Sequence, residues 1–95
     1  NSYRIFAENQ INQGQLKRFD FAFSREENKQ YVMDLIRKNE NYFAELLAKN
    51  GTIMICGSLK MQKDVEIILD EICQKFLGKP LQHFIKNGQI LADCY

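Results

Sequence analysis

Thr52-Ile53-Met54-Ile55-Cys56 is a continuous apolar run closed by Gly51 on one side and Gly57 on the other. A run of this kind reads as a strand buried on both faces, which is the environment of strands in a parallel sheet. Parallel strands cannot be joined by a tight turn and need long crossovers, usually helical. The sequence around the run has to supply them, and it does.

Upstream, Val32, Leu35, Ile36, Phe43, Leu46 and Leu47 fall at helical spacing, with a break expected around Asn39 to Asn41 and a stop at Asn50-Gly51. Downstream, Met61, Val65, Ile68, Leu69, Ile72 and Phe76 mark a long amphipathic helix that ends at Gly78. Pro80 opens a short helix over 81–86, and the tail Ile90-Leu91-Ala92-Asp93-Cys94-Tyr95 alternates as a strand does. Arg18-Phe19-Asp20-Phe21-Ala22-Phe23 also alternates with period two and is read as a strand. From Tyr3 to Gln13, Tyr3, Phe6, Ala7 and Ile11 suggest a short amphipathic helix stopped by Asn12-Gln13-Gly14. The expected order is α-β-α-β-α-α-β. The fold class is α/β, a partial Rossmann-like parallel sheet of about three strands covered by helices.

The chain has 95 residues, enough for one small domain with a thin core. Thirteen Lys and Arg against twelve Asp and Glu leave a net charge of +1, so no bulk field argues for nucleic acid or a membrane surface. Any anion site has to be local. Three cysteines, Cys56, Cys73 and Cys94, suit neither a disulfide framework nor a zinc site, and no metal site is expected. A reduced, cytoplasmic compartment is therefore the expectation. No apolar run approaches the roughly 18 residues of a membrane span. Asn1 opens the chain without a Met, and a three-strand sheet is narrow, so we expect the carboxyl-terminal part of a longer protein.

Two segments could carry chemistry. In Ser24-Arg25-Glu26-Glu27-Asn28-Lys29-Gln30-Tyr31 a strand's carboxyl end meets a helix amino end, the edge at which open α/β sheets bind ligands. A hydroxyl, a guanidinium and an ammonium there can hold a phosphate monoester, and Tyr31 can offer a ring to a base. The same residues also read as a capping box with a solvated first turn. At Cys56-Gly57, glycine lets backbone and ligand approach at the strand's exit, while Cys56 reads equally as the buried end of a core strand. No nucleophilic triad is set up, and His83 reads as a surface residue. Tyr95 is either a frayed end or a ring that covers a flat ligand and swings away.

Taken in order, Phe23-Ser24-Arg25 with Lys29 and Tyr31-Val32, Thr52 to Gly57 with Met61 and Asp64-Val65, and Asp93-Cys94-Tyr95 resemble the carboxyl-terminal half of the NADPH-binding domain of the ferredoxin–NADP reductase family. The nearest likeness is to the sulfite reductase flavoprotein subunit and the diflavin reductases, and it spans nearly the whole chain. The resemblance implies that Ser24, Arg25 and Lys29 hold the 2′-phosphate of NADPH and that Tyr31 stacks on adenine. It implies that Cys56, with Gly57, and Asp93 lie at the nicotinamide, and that Tyr95 stacks on the flavin ring. Met33 stands where relatives have Gln, and the loop from Cys56 to Met61 is one residue shorter than in the sulfite reductase subunit. The family's glycine-rich pyrophosphate turn and FAD-binding barrel are not in this sequence.

The implied function is to position NADPH for hydride transfer to FAD, held by an upstream domain, with electrons passed to a downstream acceptor. The piece alone is then expected to be inactive, and to expose apolar sheet edges through which it dimerises, swaps elements or rearranges. The strands around Phe21 and Ile55 are expected not to be neighbours. The alternative is a small α/β interaction or ligand-binding module without redox activity.

Overall fold

The computed structural model describes residues 2–11, 15–24 and 29–94, with side chains described for 4–8 and 32–93. Strands β1 (Ser2–Ile11) and β2 (Gln15–Ser24) are followed by helices α1 (Lys29–Lys38) and α2 (Glu40–Ala48). Strand β3 (Thr52–Gly57), helix α3 (Leu59–Ile72) with a wider π turn over Cys73–Leu77, helix α4 (Leu81–Lys86) and strand β4 (Ile90–Cys94) complete the order. The four strands form one sheet in the order β2-β1-β3-β4. β1 runs antiparallel to both β2 and β3, whereas β3 and β4 are parallel.

The α/β class and the helix-covered sheet agree with the sequence. The first segment does not. Instead of a helix, residues 2–11 form a strand, so the sheet has four strands and is mixed rather than parallel. The reason lies in the alternation of Arg4-Ile5-Phe6-Ala7-Glu8. Ile5 and Ala7 are buried while Arg4 is exposed and Phe6 and Glu8 are half-buried, a period of two that a helix cannot satisfy. β1 and β2 pair from Ser2–Ser24 to Ile11–Gln15. The strands of Phe21 and Ile55 are not neighbours, but what separates them is this chain's own β1, where the resemblance implies two strands missing from the sequence.

The core sits on one face of the sheet. Ile5 pairs with Ile55 and Ala7 with Ile53, and Ile53 with Ile90, so these buried residues share a face. Onto it pack α2, touching β1, α3, touching β3 and β4, and α4, touching β4. Val32, Ile36, Phe43, Leu46, Leu47, Val65, Leu69 and Ile72 close the layer. Each such side chain contributes about 1.5–3 kcal/mol by leaving water. The opposite face carries Arg4, Phe6, Glu8, Thr52, Met54, Cys56, Leu91 and Asp93, all half-buried or exposed. β3 is therefore buried on one face, not two, because no described helix covers the other.

Local chemistry explains the boundaries. Asn39 interrupts the first helical stripe as expected, and its Nδ2 donates to the Leu35 carbonyl at 2.8 Å. Asn50 takes the left-handed conformation (φ 65°), and the amides of Asn50 and Gly51 donate to the carbonyls of Leu47 and Leu46, ending α2. The π turn alters the end of the long helix. Its wider turn moves the apolar stripe on by one residue, so Leu77 packs against the core and Phe76, expected inside, is 39% exposed with Lys75 Nζ 5.1 Å from its ring centre.

Candidate functional site

β2, β3 and β4 all run in one direction, so their carboxyl ends meet at one end of the sheet. Ser24 pairs with Ser2, Arg4 with Cys56, Cys56 with Asp93, and Gly57 with Cys94. Four residues expected from the sequence, Ser24, Cys56, Gly57 and Asp93, thus fall within two register positions of one another along the strands. Lys29 begins α1, and Tyr31 lies in that helix's first turn. The side chains of Ser24, Lys29 and Tyr31 lie outside the described residues, as do Arg25 and Tyr95 altogether. The capping box over 24–27 falls there too.

Gly57 ends β3 with φ 150°, a backbone conformation that side-chain-bearing residues avoid. Ser58 follows as the cap of α3, its Oγ accepting from the Met61 amide at 3.1 Å. The strand-to-helix turn is therefore fixed by two adjacent residues. Ser58 had a readable signal, a serine just ahead of a helical stripe. Arg4 had one as well, in the alternation of its neighbours, yet reading that segment as a helix hid it. In the sheet, Arg4, Cys56 and Asp93 form one row across the open face, on strands about 4.8 Å apart.

The two cysteines with described side chains differ. Cys56 is half-buried on the open face. Cys73 is wholly buried, and desolvation, with a smaller push from the Asp70 charge, drives its thiol up to about 11. Only Cys56 of the two can meet a ligand as a surface thiol. Met33 is buried in the core, so at this position the chain offers no polar contact. His83 is half-buried, edge-on to the Phe84 ring at 5.0 Å, on the helix that leads into β4 at the opposite end of the sheet from Cys56. Among the described residues no three His, Cys, Asp or Glu side chains gather as a metal site. Nor is any described helix long and apolar enough to cross a membrane.

At the opposite end, Gln89 is buried and satisfied. Its Nε2 donates to the carbonyls of Leu47 and Gly51, both at 3.0 Å, and its Oε1 accepts from Asn87 Nδ2 at 3.2 Å. A cavity of about 230 Å³ beside it is lined by Asn50, Lys79, His83 and Asn87 among others. On the open face, Phe6, Glu8, Thr52, Met54 and Leu91 line a smaller hollow of about 70 Å³.

The sulfite reductase [NADPH] flavoprotein alpha-components of Neisseria meningitidis serogroups A, B and C are each 43% identical to this chain over 61 residues, 62% of it and 10% of the relative. The similarity is to an oxidoreductase subunit. The chain spans about a tenth of the length of the curated relatives it matches. No family model matches it, nor does a solved structure match it at a significant level.

Proposed function

We propose that the chain is the carboxyl-terminal part of the NADPH-binding domain of a cytoplasmic flavoprotein reductase. It binds the adenosine end of NADPH beyond β2 and presents the nicotinamide beyond β3 and β4. The observation that carries this reading is the strand register, which aligns Ser24, Cys56, Gly57 and Asp93 at one end of the sheet. The identity to NADPH-dependent sulfite reductase flavoprotein subunits supports it.

The residues suit the nucleotide. Gly57 carries no side chain at the exit of β3, Cys56 offers a half-buried thiol, and Asp93 an exposed carboxylate in the same row. Bound there, NADPH supplies a hydride for a flavin held by another domain. Ser24, Arg25 and Lys29 supply hydroxyl and cationic donors for the 2′-phosphate, and Tyr31 a ring for adenine. Cys56 orients the nicotinamide, and Asp93 sets a fixed negative charge beside it. Tyr95 covers the flavin until nicotinamide replaces it. Electrons then leave for an acceptor, and sheet edges β2 and β4 are where other chain or a second copy attaches.

Retention of the chain on immobilised adenosine 2′,5′-bisphosphate is the test. The reading expects retention, release by free NADP⁺ before NAD⁺, and a roughly tenfold to hundredfold weaker complex in Arg25→Ala, the worth of a charge-assisted phosphate contact. A chain that passes through unretained is better described as an interaction module, with Phe6, Met54 and Leu91 on its open face as the working surface.

A further inference from the structure

We propose that His83 is a proton-operated latch on β4: neutral, it helps hold the residue that leads into the strand, and protonated, it lets go. The inference stands apart from the nucleotide reading and depends on the direction of the hydrogen bonds around Gln89. Gln89 Nε2 faces two carbonyls, those of Leu47 and Gly51, and donates to both. Its Oε1 is then the acceptor for Asn87, which has to present its own amide nitrogen, Nδ2, at 3.2 Å. The same Nδ2 lies 3.4 Å from His83 Nε2, so this ring nitrogen has to accept and the ring proton sits on Nδ1. One buried side chain thereby dictates the tautomer of a half-buried one.

A proton on Nε2 reverses that arrangement. Two donors then face each other across 3.4 Å, and the Asn87 amide either leaves the ring or turns over. Turned over, its Oδ1 meets Gln89 Oε1, two acceptors with no proton between them. Either way the ring no longer steadies Asn87 against Gln89. Among the described residues the cavity beside the ring is lined by no carboxylate: the segment before α4 contributes Lys79, and α2 only Leu47, Ala48 and Asn50. Lys86, three residues on along α4, is a second cation. Nothing of opposite charge lines that cavity to offset an imidazolium. Gln89 in turn holds the Ile53 amide through its carbonyl at 2.8 Å, and β4 carries Asp93 beside Cys56. A proton taken up at one end of the sheet is thus felt by the strand that reaches the other.

His83 is the chain's only histidine, so its titration is read without ambiguity. The test is nuclear magnetic resonance of the 95-residue chain from about pH 8 to about pH 5, the span in which an ordinary histidine changes charge. At the upper end the imidazole is expected as the Nδ1–H tautomer. As it titrates, the Gln89 side-chain amide signals are expected to shift with the same midpoint. The Ile53 amide is expected to exchange about fivefold faster after correction for the intrinsic rate, what one net hydrogen bond is worth. His83→Gln, which can accept but does not titrate, is expected to hold both steady. Asn87→Ala keeps the imidazole and removes the link, so His83 should titrate without Gln89 or Ile53 following. An Nε2–H tautomer at about pH 8, Gln89 or Ile53 signals that ignore the titration, or a response that survives in either variant overturns the latch.

Discussion

Cys73 and Cys56 carry the same side chain in opposite circumstances, and the difference can be titrated. Folding holds the Cys73 proton up to about 11, against an ordinary value of 9.0 in the unfolded chain. Above pH 9 the unfolded chain loses a proton that the folded chain keeps. The stability this group contributes is therefore intact below pH 9 and is lost as pH rises to about 11, a fall of up to about 2–3 kcal/mol. Tyr42, whose phenol burial raises above its ordinary 10.0, acts in the same direction. Urea unfolding at a series of alkaline pH values should show the fall, and Cys73→Ala should flatten it even though it lowers stability at every pH by opening a cavity. An unchanged slope in that variant would mean another group titrates.

Helix ends were the most legible part of the chain because they depend on local chemistry. Asn50-Gly51, Gly78 and Pro80 each stop or start an element where a single residue's backbone preference decides it. At Asn50 this has a measurable size. Its left-handed backbone costs a side-chain-bearing residue about 1–2 kcal/mol, which asparagine lessens and glycine avoids. Asn50→Ala should therefore lower the melting temperature by about 4–8 °C for each kcal/mol lost, and Asn50→Gly should leave it level or raise it. Two features escaped local reading. The helix expected over 3–13 failed because Tyr3, Phe6 and Ala7 satisfy helical spacing by coincidence, while pairing with both β2 and β3 rewards alternation. Phe76 failed because nothing in the sequence announces a π turn, and one extra residue per turn is enough to rotate a ring out of the core.

For the whole molecule, sheet order is the property the sequence could least supply. Ser24, Cys56 and Gly57 could be singled out one at a time, since each ends a readable strand, and Asp93 through the family resemblance alone. That Arg4 belongs in their row could not, because it depends on which strand lies in the middle. The order also predicts how the molecule opens. β1 and β3 have a neighbour on each side, while β2 and β4 have one. Backbone amides near Ile5–Ala7 and Ile53–Ile55 should exchange with deuterium most slowly, and those near Leu91–Asp93 sooner, by peptide-level mass spectrometry. Exchange at 5–7 as fast as at 91–93 would remove β1 from the sheet and with it the row that joins Arg4 to Cys56.

Gln89 shows how far from a site its alignment can be decided. A strand that slips by one residue turns every side chain to the other face. β4 is short and at an edge, with little of its own to prevent this. Its carbonyl at Gln89 accepts from the Ile53 amide at 2.8 Å, and its side chain is held by two carbonyls 42 and 38 residues earlier in the chain. A slipped β4 would break all three bonds and strip the Gln89 side chain of its buried partners. This keyed joint at one end of the sheet sets the count of residues to the other. The distance from Gln89 to Asp93 works as a ruler, and it is why the carboxylate arrives level with Cys56 rather than one step out of phase.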